Sequence, residues 1–118
     1  MDETGWRVNA RTAWVWIATT SDVTTYTVAP GRSFTDATIL VDANFDGTLV
    51  HDGWIAYTQY EQATHQTCLA HLVRRADELI ESLPKAHRAT PRHVRQLLGE
   101  ALVARERTPA NATPRCSI

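Results

Sequence analysis

The feature that most constrains the fold is a series of three strand-like segments in the first third of the chain. Residues 12–20 are rich in aromatic and β-branched side chains, which are typical of β-strands. Residues 2–8 precede this segment, and residues 23–28 resume an alternating pattern after the turn signal Ser21-Asp22. Because the connections are short and polar, the sequence predicts three consecutive antiparallel strands.

Pro30-Gly31 ends this strand pattern, and short helices and strands are predicted to follow it. Ser33 is a suitable helix N-cap, with Asp36 in the first turn of a short helix that we expect to extend to about Val41. Three further short elements are predicted along this stretch: a buried strand at residues 48–51, a helix at residues 54–60 and a strand at residues 65–69.

Apolar residues at helical spacing indicate an amphipathic helix in the second half of the chain. They recur three or four positions apart over residues 69–83, and Pro84 stops the helix. A second helix is indicated by Thr90 as its N-cap and Pro91 at its first helical position. Residues 108–118 include two prolines and few core-forming side chains, so we expect a disordered tail there.

This order of elements predicts an α/β fold in which a mixed sheet of about five strands is flanked by helices. An antiparallel meander followed by alternating helix and strand is also the order of a ribonuclease H-like core. We therefore expect a partial ribonuclease H-like core over residues 1–84, a helical segment that continues it over residues 85–107, and the tail over residues 108–118.

The composition indicates neither a free-standing DNA-binding domain nor a membrane protein. The formal net charge is −1, whereas DNA-binding domains usually carry a basic excess because phosphate contacts supply much of their affinity. No stretch is long and apolar enough to span a bilayer, and the N-terminus lacks a signal-peptide layout, so we expect a cytoplasmic protein without a membrane partner. In that compartment Cys68 and Cys116 are expected as thiols rather than as a disulfide.

Two acidic residues lie at the ends of strands that we expect to be neighbours. Asp2 begins the first predicted strand, and Asp52 follows the fourth. Their carboxylates would then meet at one edge of the sheet. Hard divalent cations prefer oxygen ligands, and such metals activate a water or a 3′-hydroxyl and stabilise the leaving oxygen of a phosphodiester. Solvated turn carboxylates are the ordinary alternative for both residues.

Three short motifs occur in order along the chain. They are Asp-Glu-Thr-Gly-Trp-Arg-Val from Asp2, then Val-His-Asp-Gly-Trp from Val50 with Tyr57 after it, and His-Gln-Thr-Cys-Leu-Ala-His-Leu from His65 with Arg74-Arg75 after it. The first resembles the opening of the catalytic core in transposases of the insertion-sequence 66 family. The second resembles that family's second acidic motif, and the third resembles its next segment. The resemblance covers about residues 2–106.

This resemblance implies a ribonuclease H-like catalytic domain of the type that uses an Asp-Asp-Glu (DDE) triad. Asp2 corresponds to the first acid and Asp52 to the second, and together they would hold Mg²⁺ (or Mn²⁺). The intact enzyme would cleave DNA at transposon ends and transfer strands. Glu3 is a weaker candidate, because the alternation of a β-strand turns it to the side opposite Asp2.

The chain departs from the family pattern, which suggests a truncated transposase. It starts directly at the first acid, without the family's upstream DNA-binding and zinc-binding regions, and residues 110–118 resemble nothing in the family. The third acid belongs to an Asn-rich, Glu-Arg motif that this sequence lacks. Glu100 and Glu106 lie in a different context and are expected to be solvated helix charges. We therefore expect a fragment that is inactive, or nearly so, on its own.

Two other functions stay open at this point. A non-enzymatic remnant would bind and modulate full-length transposase, or associate with itself through an exposed apolar sheet edge. Alternatively, the spacing of His65, Cys68 and His71 suits a small zinc-binding module, although a closed zinc site needs a fourth ligand and none is evident. The ordinary interpretation of Cys68 is a small buried residue.

Overall fold

The computed structural model describes residues 1–107 and places them in two compact units, residues 1–66 and the residues from 67 onward. Each unit is described by itself. The predicted disordered tail, residues 108–118, and with it Cys116, lies outside the described residues. No helix within residues 1–107 is long and apolar enough to cross a membrane.

The first unit opens with the predicted antiparallel meander. Strands β1 (Asp2–Val8), β2 (Arg11–Thr19) and β3 (Thr24–Ala29) lie in that order in one sheet. The β1–β2 connection is the two-residue turn Asn9-Ala10, in which both residues have positive φ, 50° and 64°. This geometry matches the twist of a hairpin. The meander predicted by the sequence is confirmed.

One face of this sheet supplies most of the core. Trp16 is fully buried, and Ala29 of β3 lies on the same face. The Trp16 indole Nε1 donates to the Gly31 carbonyl at 3.2 Å, so burial leaves its polar atom satisfied. The opposite face is exposed and apolar, with Trp6 and Tyr26 exposed by 59% and 67%.

The remaining elements of the first unit cover the inner face. Helix α1 (Phe34–Ala37) begins at Ser33, whose side chain forms a capping box with Asp36. The predicted cap is therefore confirmed, but the helix ends well before Val41 because the chain turns after Thr38. Strand β4 (Thr48–His51), a 3-10 helix (Ile55–Gln59) and strand β5 (Thr64–Thr67) follow.

All five predicted strands form, but they do not make one sheet. β1, β2 and β3 form a three-stranded antiparallel sheet, whereas β4 and β5 form a two-stranded parallel sheet. The two sheets meet where the Met1 ammonium group donates to the Val50 carbonyl at 2.8 Å. This contact brings β1 beside β4 without the repeated backbone pairing of a continuous sheet. The architecture is thus mixed α/β, with two sheets in place of the predicted one.

The second unit contains the two predicted long helices. Helix α2 (Leu69–Ser82) ends before Pro84, and helix α3 (Ala89–Arg107) packs beside it. The helix α3 begins one residue before Thr90, so the prediction of Thr90 as N-cap is wrong. The Arg92 amide donates to the Arg88 carbonyl at 3.1 Å, so the helical hydrogen bonds already begin at Arg88, whose side chain donates to the Leu83 carbonyl at 2.7 Å.

Candidate active site

Asp52 lies in a tight turn that directly follows strand β4. Its Oδ1 accepts a hydrogen bond from the Trp54 amide at 2.8 Å. Between them Gly53 has a φ of 92°, a conformation that L side chains rarely adopt, and its amide donates to His51 Nδ1 at 2.9 Å. Two successive amides of the turn are thus bonded, that of Gly53 to the His51 ring and that of Trp54 to the Asp52 carboxylate.

Asp2 lies at the start of strand β1, half-buried like Asp52. Its Oδ1 accepts from the Glu3 amide at 2.9 Å. The preceding residue, Met1, bonds the carbonyl of Val50, which is two positions before Asp52. The structure therefore places the start of β1 beside the end of β4 at the level of the backbone.

The buried phenol of Tyr57 is held in its neutral form. Burial raises the pKa of the Tyr57 hydroxyl far above its ordinary value, and its hydrogen bond to Glu3 adds to the shift. The negative charges of Asp2 and Asp52 raise this pKa further. Because Tyr57 is fully buried, it is a neutral hydroxyl donor at physiological pH.

Glu3 points to the opposite side of its strand from Asp2, as predicted, and its side chain is fully buried. Its carboxylate forms an ion pair with Arg32, whose Nε lies 2.6 Å from Oε1, and accepts a short hydrogen bond from the Tyr57 hydroxyl. The Arg32 guanidinium stacks 3.8 Å above the Trp54 ring and 4.9 Å from the Trp14 ring. Glu3 is therefore a structural carboxylate with a compensated charge.

Two histidines adjoin the Asp52 turn, on neighbouring parallel strands. His51 is buried, and its Nε2 lies 3.0 Å from Nδ1 of the more exposed His65. The Nε2 of His65 lies 3.1 Å from the Tyr60 carbonyl oxygen. Burial lowers the pKa of His51 below its ordinary value, and the positive charge that His65 would carry lowers it further. No sequence signal marked this pair, because the pairing of β4 with β5 was not predicted.

The described part of the chain contains no metal site with three or more protein ligands. Within residues 1–107, no group of three or more His, Cys, Asp or Glu side chains is arranged to hold a metal ion. The alternative interpretation of His65, Cys68 and His71 as a zinc module gains no support within residues 1–107. Cys68 is buried, as its ordinary interpretation predicts. Glu100 and Glu106 are exposed on α3, as expected for solvated charges.

Comparison with known proteins identifies the family of this chain. The family model described as Transposase IS66 family matches residues 1–114. No individual curated protein and no solved structure matches the chain significantly. The matched region includes both aspartates and the strands that carry them, and it spans nearly the whole chain. The chain therefore belongs to the transposase IS66 family.

Proposed function

We propose that this chain carries the two-aspartate part of the metal site of a DDE-type DNA transposase. The observation that carries the proposal is the contact between Met1 and Val50, which aligns the start of β1 with the end of β4. Asp2 and Asp52 follow these two positions, on strands that are far apart in sequence. Family membership supplies the chemical context, since transposases act on DNA.

The residues present suit a hard divalent cation. Both donors are carboxylates, the ligand type that Mg²⁺ and Mn²⁺ prefer. A backbone amide holds Oδ1 of each aspartate, Glu3 N for Asp2 and Trp54 N for Asp52, so both carboxylates are oriented in advance. A metal bound there would activate a water or 3′-hydroxyl and stabilise the leaving oxygen of a phosphodiester.

The buried ion pair beneath the site keeps the start of β1 in position. Glu3 is next to Asp2, and its carboxylate is held by Arg32 and by the Tyr57 hydroxyl. Arg32 also contacts the ring of Trp54, which follows Asp52 by two residues. Arg32 thus links the buried Glu3 beside Asp2 to the partly exposed Trp54 ring near Asp52.

The order of elements supports a ribonuclease H-like ancestry for this unit. A three-stranded antiparallel meander is followed by a helix and by β4, and β4 lies next to β1 at the Met1 contact. We propose that the two sheets correspond to parts of one ribonuclease H-like sheet.

The chain alone is proposed to be inactive, or nearly so, in DNA cleavage. A DDE site needs a third acid, and no third carboxylate joins Asp2 and Asp52 within residues 1–107. The test is incubation of the full chain with transposon-end DNA and Mg²⁺ or Mn²⁺. We expect no nicking above the level of the Asp52→Asn variant, and efficient Asp52-dependent nicking would overturn the proposal of inactivity.

A second candidate is a non-enzymatic role through association with full-length transposase or with itself. The outer face of the three-stranded sheet favours it, since Trp6, Tyr26 and Val28 are exposed by 59%, 67% and 59%. Size-exclusion chromatography and co-purification with an intact transposase of the family test this role. A monomer that does not bind that transposase would exclude it, and a Tyr26→Ser variant should weaken any association that uses this face.

A further inference from the structure

The hydrogen bonds around His51 and His65 fix the position of every ring proton. The Gly53 amide is only a donor, so His51 Nδ1 must carry a lone pair. The proton of neutral His51 then lies on Nε2, which donates to His65 Nδ1. The remaining proton of neutral His65 lies on Nε2 and is directed to the Tyr60 carbonyl, which can only accept.

One choice of tautomers, with both rings neutral and protonated on Nε2, therefore satisfies all three hydrogen bonds. In this state each hydrogen bond, from the Gly53 amide through both imidazoles to the Tyr60 carbonyl, has one donor and one acceptor. The His51 ring is also stacked on the buried Tyr57 ring, with centroids 4.9 Å apart. The orientation of this imidazole is thus set by packing on one side and by His65 on another.

The same protons argue against a transition-metal site between the histidines. The two facing nitrogens are 3.0 Å apart, a direct hydrogen-bond distance, whereas two nitrogens bound to one tetrahedral zinc ion at about 2.0–2.1 Å would lie about 3.3 Å apart. A metal at His51 Nε2 would require the ring proton to move to Nδ1, where it would face the Gly53 N–H. The pair is therefore a hydrogen-bonded support rather than a ligand pair.

We infer that His51 is a positioning residue for Asp52, and that His65 sets the tautomer His51 needs for that role. His51 holds the Gly53 amide, and the next amide in the chain, that of Trp54, holds the Asp52 carboxylate. Losing the first bond frees Gly53, whose φ of 92° is otherwise fixed, and lets the carboxylate move. This inference rests on the proposed metal-binding role of Asp52.

Two substitutions of His51 separate its two hydrogen bonds. In His51→Asn the amide oxygen takes the place of Nδ1 and still accepts from Gly53, but the side chain is too short to reach His65. In His51→Gln the amide nitrogen takes the place of Nε2, and the bond to Gly53 is lost. His93→Gln, at an exposed position on α3, is the matched control.

The readout is the affinity of the full chain for Mn²⁺ alone. Loss of a supporting partner typically weakens metal binding by about 10–100-fold, so we expect at least about tenfold weaker binding for His51→Gln. His51→Asn and His93→Gln should stay close to the unsubstituted chain. Equal weakening in the Asn and Gln variants, or none in the Gln variant, would overturn the inference.

Asp52→Asn separates this inference from the function on which it rests. If Asp52→Asn leaves Mn²⁺ affinity unchanged, the proposed metal site itself is wrong. If it weakens binding while His51→Gln does not, only the positioning role is wrong.

The imidazole nitrogen signals of the unsubstituted chain give a test that needs no variant to fold. Long-range ¹H–¹⁵N spectra recorded near pH 8 should show the proton of each ring on Nε2. A proton on Nδ1 of His51 would contradict the assignment and overturn the inference.

Discussion

Removing the guanidinium of Arg32 tests the proposed support beneath the aspartates. In Arg32→Met the aliphatic stem stays, but the fully buried Glu3 carboxylate loses its ion-pair partner and, of its partners within residues 1–107, keeps the Tyr57 hydroxyl. Leaving one charge of a buried pair uncompensated typically costs about 3–5 kcal/mol. We therefore expect the free energy of unfolding to fall by about that amount at pH 7, where Arg32 is cationic.

A double substitution distinguishes lost charge compensation from lost packing. Glu3→Gln with Arg32→Met leaves no buried charge, and the Tyr57 hydroxyl still has an oxygen to which it can donate. The residual cost includes the contacts of the guanidinium with two tryptophan rings, about 0.5–1 kcal/mol each. The double variant should therefore be more stable than Arg32→Met alone, by roughly 2 kcal/mol.

Urea unfolding, followed by tryptophan fluorescence and circular dichroism, measures both effects. Arg95→Met is the matched control, because the Arg95–Asp77 pair on α3 and α2 is about half exposed on both sides (49% and 47%). Exposed pairs contribute at most about 1 kcal/mol. A loss below about 1 kcal/mol in Arg32→Met, or a double variant no more stable than Arg32→Met, would refute the role assigned to the buried pair.

Three further predictions concern the turn, the pH dependence and the cap. Gly53→Ala should destabilise the chain by about 1–3 kcal/mol through backbone strain alone, since an added Cβ meets nothing within 4 Å. Gly53→Asn should destabilise it less in the same urea assay, because asparagine tolerates a positive φ better than alanine does. Equal destabilisation by the two variants would argue against strain. The pKa of His51 is lowered from 6.5 in the folded chain, so the unfolded chain binds more protons. The contribution of His51 to stability should therefore be complete above about pH 6.5 and fall as the pH drops below it. His51→Asn should remove this part of the pH dependence of stability, and an unchanged pH profile would contradict the prediction. Ser33→Ala should cost about 1 kcal/mol by removing the capping box with Asp36, and a change below a few tenths would contradict that role.

Local patterns in the sequence were sufficient to predict most of the secondary structure. The alternation of β-branched and aromatic residues gave the three strands of the meander, and the spacing of apolar residues gave α2 and α3. Ser33 was identified because its cap is a local hydrogen bond to a residue three positions away. The alternation rule also placed Glu3 on the face opposite Asp2.

Long-range pairing is what the sequence could not supply. The division of five strands into two sheets depends on which strands meet, and no local pattern encodes the limited contact between β1 and β4. The partners of Glu3 and His51 are 29 and 14 residues away, Arg32 and His65. The positive φ of both residues in the turn Asn9-Ala10 was also not predicted, because neither residue is glycine.

The most direct test of the central claim is whether one metal ion senses both aspartates. Mn²⁺ is paramagnetic and broadens the signals of nearby amides, and the amides of Glu3 and Trp54 directly contact the carboxylates of Asp2 and Asp52. Titration of the ¹⁵N-labelled chain with Mn²⁺ should broaden both amides together at the same low concentration. Asp52→Asn should remove the broadening at both, including the amide on β1. Broadening at only one of the two amides, or no effect of Asp52→Asn at Glu3, would contradict a shared site.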